Sequence, residues 1–441
     1  MEVLPGKWVK GYNWYRLADL REALSCTLDE ISLDASTMFG MPLVQDAPVR
    51  PCNCGHCDFC IEIYAQAFKL MLIRIVPKIA ILGANGRVGS EMSMYMNVSK
   101  MSMYMNAYDK VADLALYDVS DTLPLATGLA LDMWIPTEVY AYTGRKELPG
   151  ALEGADSVVI VAGSARKRGM TRDDLFQRNA PIIRNLAEAA ARICPKALFA
   201  IITNPVNSTV PIFAEVFKKN GVYDPKRIFG VTTLDKVHIP GAIIPVIGGH
   251  SEQTTIPLLS QMIPQLHLTE DEIKTLTEGI QNEGTRLLNV LGVPDWEMMV
   301  HCGVEFVQAL AKGLKGEKNV QCAYVASDVV PGVEFFASPV ELGPNGIERN
   351  LGIGQLSAYE NELLQRATPE LQESIVKGQN FVHNSKPEKG RAYRNLKVSK
   401  TKRRSVGDAW DKEMKETEHD LEEFDRSLAN MEERVRVQMN S

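Results

Sequence analysis

An apolar stretch, Ile79-Ala80-Ile81-Leu82, runs directly into Gly83-Ala84-Asn85-Gly86-Arg87-Val88-Gly89, and this junction constrains the fold more than any other part of the 441-residue chain. A strand that ends in glycines three residues apart is the turn of a βαβ unit. The glycines permit the tight bend and bring the backbone close to a pyrophosphate, and the following helix offers its N-terminal N–H groups and positive dipole end to the anion. Such a turn also occurs for packing reasons alone. Here a second segment, Leu114-Ala115-Leu116-Tyr117-Asp118, reads as a buried strand ending in an acid. A carboxylate at that place accepts a ribose 2′-hydroxyl and repels a 2′-phosphate. Together Gly83, Gly86, Gly89 and Asp118 point to a dinucleotide, NAD rather than NADP.

The bulk properties narrow the class. With 45% hydrophobic residues the chain can bury one large or two medium cores. A net charge of −7 argues against a nucleic-acid partner, since no broad basic surface is available for phosphates. The longest apolar candidate, residues 61–76, is interrupted by Glu62, Lys69 and Arg74, so no membrane span is expected. Of eight cysteines, four crowd between Cys52 and Cys60, and Cys26, Cys194, Cys302 and Cys322 are scattered. No secretory signal precedes them, which predicts a soluble protein of a reducing, intracellular compartment. Early acids (Glu2, Asp19, Glu22, Asp29) leave no clean organellar transit peptide.

The chain divides into four stretches. Residues 1–77 form an extension whose one chemical feature is Cys52, Cys54, Cys57 and Cys60 around His56. Cys57 and Cys60 have the bite of a zinc-ligand pair, but the second pair at a distance is missing, so the cluster is a weak metal candidate and reads more simply as a solvent-facing turn. Residues 78–231 alternate apolar strands, clearest at 157–162 and 197–202, with helical stretches, as a parallel sheet requires. Residues 232–384 are mixed and carry the candidate catalytic groups. Residues 385–441 begin with a basic linker, Lys400 to Arg404, and continue as a seam of Trp410, Met414, Thr417, Leu421, Phe424, Leu428, Met431 and Val435, with Asp408 as N-cap. Steps alternating four and three predict an amphipathic, coiled-coil-like helix over 408–437 that pairs with a partner helix or itself; the alternative is packing on its own domain.

The fold class that follows is α/β: a Rossmann-type doubly wound parallel sheet, a mixed α+β catalytic domain, and a C-terminal amphipathic helix. One repeat stands apart. Met92-Ser93-Met94-Tyr95-Met96-Asn97 recurs as Met101-Ser102-Met103-Tyr104-Met105-Asn106. Nine residues are about two and a half helical turns, so the two copies cannot bury the same stripe of one straight helix. A local duplication with methionine as packing filler is the expectation.

Beyond the nucleotide loop the motifs resemble those of malate dehydrogenases of the mitochondrial and bacterial type. Residues 162–175, Ala-Gly-Ser-Ala-Arg-Lys-Arg-Gly-Met-Thr-Arg-Asp-Asp-Leu, resemble their mobile substrate loop. Thr203-Asn204-Pro205-Val206-Asn207-Ser208 resembles the turn beside their nicotinamide. Residues 224–235 and Gly248-Gly249-His250 resemble the segments that hold their Asp–His pair, and the likeness covers roughly 78–383. The resemblance implies NAD as cofactor, a small dicarboxylate substrate, a homo-oligomer, and a mitochondrial or other organellar home, with the cytoplasm as alternative. It also implies roles. His250 exchanges the proton and Asp235 orients it; Arg172 polarises the carbonyl; Arg166 grips the distal carboxylate; Asn204 bonds near the reacting oxygen or nicotinamide; Asn85 and Asn179 join the cofactor site. These residue types suit hydride delivery to a 2-oxo acid: a histidine supplies a proton near neutral pH, and a guanidinium fork matches a carboxylate.

The pattern breaks in three places. Where the family carries a third arginine for the C1 carboxylate, this chain has His238. Loss of that contact is expected to cost roughly 2–4 kcal/mol, about 30- to 1000-fold in specificity constant, part of which a protonated histidine recovers. Only fifteen positions separate Asp235 from His250, fewer than the family uses, and Pro240 and Gly241 shorten the helix that contributes to the usual dimer contact. The family's small-residue helix lining the substrate pocket, expected near 287–301, reads instead Leu287-Leu288-Asn289-Val290-Leu291-Gly292-Val293-Pro294-Asp295-Trp296, and Ser251-Glu252-Gln253-Thr254 is irregular. The leading expectation is a malate dehydrogenase, weakened or redirected among 2-hydroxy acids. The alternative is an NAD-binding relative, impaired in catalysis, that acts through its tail helix.

Overall fold

The computed structural model describes residues 77–98, 113–131, 139–233, 243–292, 294 and 296–384. The cysteine cluster, the second methionine copy, Asp235, His238 and the heptad tail lie outside them.

Six strands form the first part of the sheet: β1 (Lys78–Leu82), β2 (Asp113–Asp118), β3 (Val139–Thr143), β4 (Ser157–Ile160), β5 (Leu198–Ile201) and β6 (Ile228–Val231). They pair in the order β3-β2-β1-β4-β5-β6, all neighbours parallel. The order doubles back beside β1, which opens a crevice at the carboxyl ends of β1 and β4. Strands β4 and β5 end one or two residues inside the expected limits; Val161 N–H still reaches Leu82 O at 3.0 Å before the chain leaves the ladder.

The sheet continues antiparallel through β7 (Val246–Gly248), β8 (Thr255–Pro257), β9 (Asn319–Ala326), β10 (Phe335–Gly343) and β11 (Gly346–Asn350). β9 pairs with β6 and β10, and β10 pairs with β7 and β11. β8 closes on β7. Both halves thus share one sheet, and the turn between β7 and β8 lies in register with the nucleotide half.

Among the described residues eight helices cover the sheet: α1 (Arg87–Val98), α2 (Leu123–Leu131), α3 (Gly144–Leu152), α4 (Arg172–Ile193), α5 (Val206–Lys219), α6 (Glu270–Leu291), α7 (Trp296–Leu314) and α8 (Ala358–Asn384). The alternation of β1 sends Ala80 and Leu82 into one apolar core and Ile79 and Ile81 into another. The first core stacks Phe199, Phe213 and Phe217, with ring centroids 4.8–5.0 Å apart, under α4, α5 and α8. The second packs Phe229 on Phe306 of α7 at 5.8 Å. Burial on both faces explains why these strands read as continuous apolar runs. Met92 and Met96, one turn apart on α1, are buried in the second core, while Met94 and Tyr95 are exposed. The first methionine copy is therefore packing, as expected for a helix with one buried face.

Candidate active site

The nucleotide turn is built by contact. Gly83 has φ +98°, and a Cβ there would lie 2.6 Å from Ala162 Cα and N; on Gly89 it would lie 2.1 Å from Gly83 O. Only glycine lets β1, β4 and α1 meet this closely. The first amides of α1 have no intrahelical acceptor, which leaves donors for a phosphate. Arg87 stacks on the ring of Trp296 at 4.0 Å and fixes the start of α1 against α7. Asp118, ending β2, accepts Asn85 N at 3.1 Å and Ser120 N at 3.2 Å. Asn85 Nδ2 donates to Ser120 Oγ and Asp121 O. The loop and the acid are thereby one unit, with a carboxylate held beside the glycine turn. This donor and acceptor set fits NAD.

Across the crevice, Asn179 of α4 is buried and ties two loops together. Its Oδ1 accepts Ser164 N at 2.7 Å, and its Nδ2 donates to Ser164 O and, at 2.7 Å, to Asn204 O. Asn179 thus positions the loop that carries Arg166 and the turn that carries Asn204. Arg172 opens α4, whose N-cap Thr171 and Asp174 form a capping box.

Both loop arginines converge on one carboxylate. Arg172 Nε donates to Glu252 Oε2 at 2.9 Å, with Nη2 of the same guanidinium on the same oxygen. Arg166 Nη1 reaches Glu252 Oε1 at 3.4 Å and Thr285 Oγ at 3.1 Å, and Thr285 Oγ in turn donates to Glu252 Oε1. Burial raises the Glu252 carboxyl, but the Thr285 hydroxyl and the Arg172 guanidinium outweigh it and hold its pKa at about 2.

His250 stands at the end of β7 on a fixed platform. Its backbone N–H donates to Asn207 Oδ1 at 2.8 Å, and Asn207 Nδ2 donates to Thr254 Oγ at 3.1 Å. The fully buried Tyr324 donates its hydroxyl to Asn207 O at 3.3 Å; burial pushes its pKa upward, so it remains a neutral donor. His250 and Asn204 line one pocket with Ile202, Val231, Met299, Cys302 and Gly303. The structure therefore brings His250 and Asn204 together and Arg166 and Arg172 together, and it joins Gly83, Asn85, Gly86, Gly89 and Asp118 in one cradle.

Residues 77–230 match the model of the lactate/malate dehydrogenase NAD binding domain, and residues 232–382 match that of the lactate/malate dehydrogenase alpha/beta C-terminal domain. The mitochondrial malate dehydrogenase of Caenorhabditis elegans is 50% identical over 321 residues, 69% of this chain and 91% of that protein. The chain belongs to the lactate/malate dehydrogenase family. The human mitochondrial malate dehydrogenase is 41% identical over 324 residues, 70% of this chain and 93% of that protein. Among solved structures, the malate dehydrogenase of Cryptosporidium parvum aligns with a TM-score of 0.58 at 24% identity, covering 69% of this chain and 99% of that one. The lactate dehydrogenase of the same organism, complexed with lactic acid and nicotinamide adenine dinucleotide, aligns with TM-score 0.58 at 20% identity, over 70% of this chain and 99% of that one. These two likenesses concern the fold.

As a lactate/malate dehydrogenase, the chain has NAD as its cofactor. Three features of its site were not read from sequence. Of the helix segment expected near 287–301, the residues that line the pocket are Met299 and, just beyond it, Cys302 and Gly303, in the first turns of α7; Gly292, in the left-handed conformation, ends α6 before them. The close fit of Met92 Cε, 2.9 Å from where a Gly303 Cβ would be, was a usable signal only once α1 and α7 were known to touch. Asn207 belonged to a recognised motif without an assigned part. Thr285 carried no signal at all.

Proposed function

We propose that this chain is an NAD-dependent malate dehydrogenase that interconverts malate and oxaloacetate. The observation that carries this reading is the shared pocket of His250 and Asn204 beside the nucleotide cradle, with two arginines on the adjoining loop. Residues 78–231 act as the cofactor-binding domain and 232–384 as the catalytic one. The cradle of Gly83, Gly86, Gly89 and Asp118 would hold NAD, which would supply a hydride acceptor for the hydroxyl-bearing carbon of the substrate. His250 takes the hydroxyl proton in that direction and returns it to the carbonyl oxygen in the other. Asp235 fixes the imidazole tautomer and stabilises its protonated form. Arg172 polarises the carbonyl, Arg166 grips the distal carboxylate, and His238 takes the C1 carboxylate in place of an arginine. Asn204 bonds at the reacting oxygen or the nicotinamide amide.

Mixing the purified chain with NADH and oxaloacetate, then with pyruvate and an aromatic 2-oxo acid, tests this at the nicotinamide absorbance band. Turnover fastest with oxaloacetate is the expected result. Flat traces with NADH fluorescence still reporting binding would favour the second reading, an impaired relative working through its tail, which the His238 replacement and the 408–437 heptads support. The family resemblance further supports a mitochondrial site and a homo-oligomer, and the heptad spacing of 408–437 supports a tail helix for a partner; fluorescent tagging in cells and light scattering on the full chain test these.

A further inference from the structure

Arg166 and Arg172 do not stand open to solvent. Each has a carboxylate oxygen of Glu252 as partner, and the three side chains are only 27%, 36% and 28% exposed. Glu252 is aimed by its backbone rather than by chance. Gly249 N–H donates to Thr254 O at 2.8 Å, and Thr254 and Thr255 N–H both donate to Ser251 O. Ser251 Oγ donates to Glu370 Oε1 of α8 at 2.7 Å, and Asn207 holds His250 N–H. The turn is thus pinned on both sides of Glu252. Its carboxylate lies against the loop from the far side, 80 residues from Arg172 and 86 from Arg166 in sequence.

We propose that Glu252 is a specificity-determining residue, a built-in carboxylate that competes with the distal carboxylate of the substrate for Arg166 and so lowers the preference for dicarboxylic over monocarboxylic 2-oxo acids. This rests on reading Arg166 and Arg172 as the substrate arginines. The electrostatics follow from the charges. Two guanidiniums alone present a doubly positive site, which favours a dianion; with Glu252 in place the cluster is singly positive. The Arg172 contacts with Oε2 must open for either class of substrate, and a dicarboxylate must in addition displace Oε1 from Arg166 before its distal carboxylate can use that fork. An incoming monocarboxylic acid has no second carboxylate to seat there. A negative charge held against the wrong ligand discriminates by repulsion as effectively as a new attraction does. Glu252 remains ionised throughout the physiological range, since its pKa is near 2, so the competition is constant rather than switched by pH.

Glu252→Gln removes the charge and keeps the shape, and Thr285→Val loosens the anchor of the same carboxylate. Both are compared with the unaltered chain in two ways: NADH-linked turnover of oxaloacetate and pyruvate, and calorimetric titration with hydroxymalonate in saturating NADH. For E252Q the ratio of kcat/KM for oxaloacetate over pyruvate should rise about tenfold or more, mainly through KM, with hydroxymalonate binding tightened to match. T285V should move both in the same direction by less, and it carries the test if E252Q fails to fold by circular dichroism. An unchanged ratio and unchanged hydroxymalonate affinity would overturn the proposal. Absence of turnover in every protein, with hydroxymalonate still bound more tightly by the variants, would sink the malate dehydrogenase reading and leave the role of Glu252 standing. Absence of both effects would overturn the two together.

Discussion

Asn207 Oδ1 accepts the backbone N–H of His250 at 2.8 Å, so a residue at the start of α5 sets where the end of β7 stands. One side chain from the cofactor half thereby fixes the backbone of His250, the proposed proton-transfer residue, in the other. The same side chain holds Thr254 Oγ at 3.1 Å, and its own carbonyl is taken by the buried Tyr324. Asn207→Ala removes both contacts and takes the acceptor from the His250 amide, while Thr254 Oγ keeps its contact with Ser251 Oγ at 2.7 Å. A small misplacement of a proton-transfer group is costly, because its hydrogen-bond geometry sets the rate. The expected outcome is a fall in kcat of about 10- to 100-fold with NADH affinity changed less than about threefold. Stopped-flow turnover and NADH fluorescence titration separate the two.

Gly89 tests the nucleotide cradle from the packing side. A Cβ there would sit 2.1 Å from Gly83 O and 2.9 Å from Ala84 Cα, both backbone atoms that cannot rotate away. Gly89→Ala must push α1 off the β1 turn, and the glycine turn, Met92 and the Trp296 stack move with it. A loss of at least ~2 kcal/mol in urea unfolding is expected, together with NADH binding weakened about tenfold or more. Unchanged NADH affinity in a folded variant would show that the cradle does not need this approach.

Much of this architecture was legible in the chain itself, for local reasons. The Ile79–Leu82 run with its glycines, and the strand ending in Asp118, are patterns whose physics is contained within a few residues, and β1, β2 and the turn appear at those places. The register of the pocket helix was not legible, because Met299, Cys302 and Gly303 face the site only through the packing of α7 on α1. Glu252 was visible merely as an irregularity after His250. Its partners lie far off in sequence, so its meaning depends on how the β7–β8 turn meets the loop before α4. Residue types predict chemistry; which charges meet is a property of the sheet that brings them together.

His238, which the family resemblance sets in place of a third substrate arginine, lies outside the described residues. His238→Arg supplies a permanent, bidentate cation where a single imidazole stands. Oxaloacetate kcat/KM should rise at least about tenfold if the pocket is otherwise sound, and pyruvate should gain as well, since both substrates carry the C1 carboxylate. That common gain distinguishes this variant from Glu252→Gln, which is expected to raise the oxaloacetate-to-pyruvate ratio. No gain with either substrate would point to the shortened segment between Asp235 and His250 as the source of any lost activity.

The Glu252 cluster also makes a prediction for stability in acid. Its folded pKa of about 2 lies below the ordinary value of 4.5, so the unfolded chain binds the proton more tightly than the folded one. The sign is then fixed: the contribution of Glu252 is fully present above about pH 4.5 and is lost as the pH falls through that value towards about 2. Glu252→Gln has no such proton to bind. The difference in unfolding free energy between the unaltered chain and E252Q should therefore be constant from neutral pH down to about 5 and shrink below it, whatever its size at neutrality. Urea denaturation of both proteins at a series of pH values measures that difference directly. Other depressed carboxylates, such as Asp174 in its capping box and Glu341 beside Lys318 and Arg349, acidify alike in both proteins and cancel in the comparison. A difference that stays flat through pH 3 would mean that Thr285 and Arg172 do not hold Glu252 as an ionised partner in solution, and the competition proposed for the substrate site would lose its physical basis.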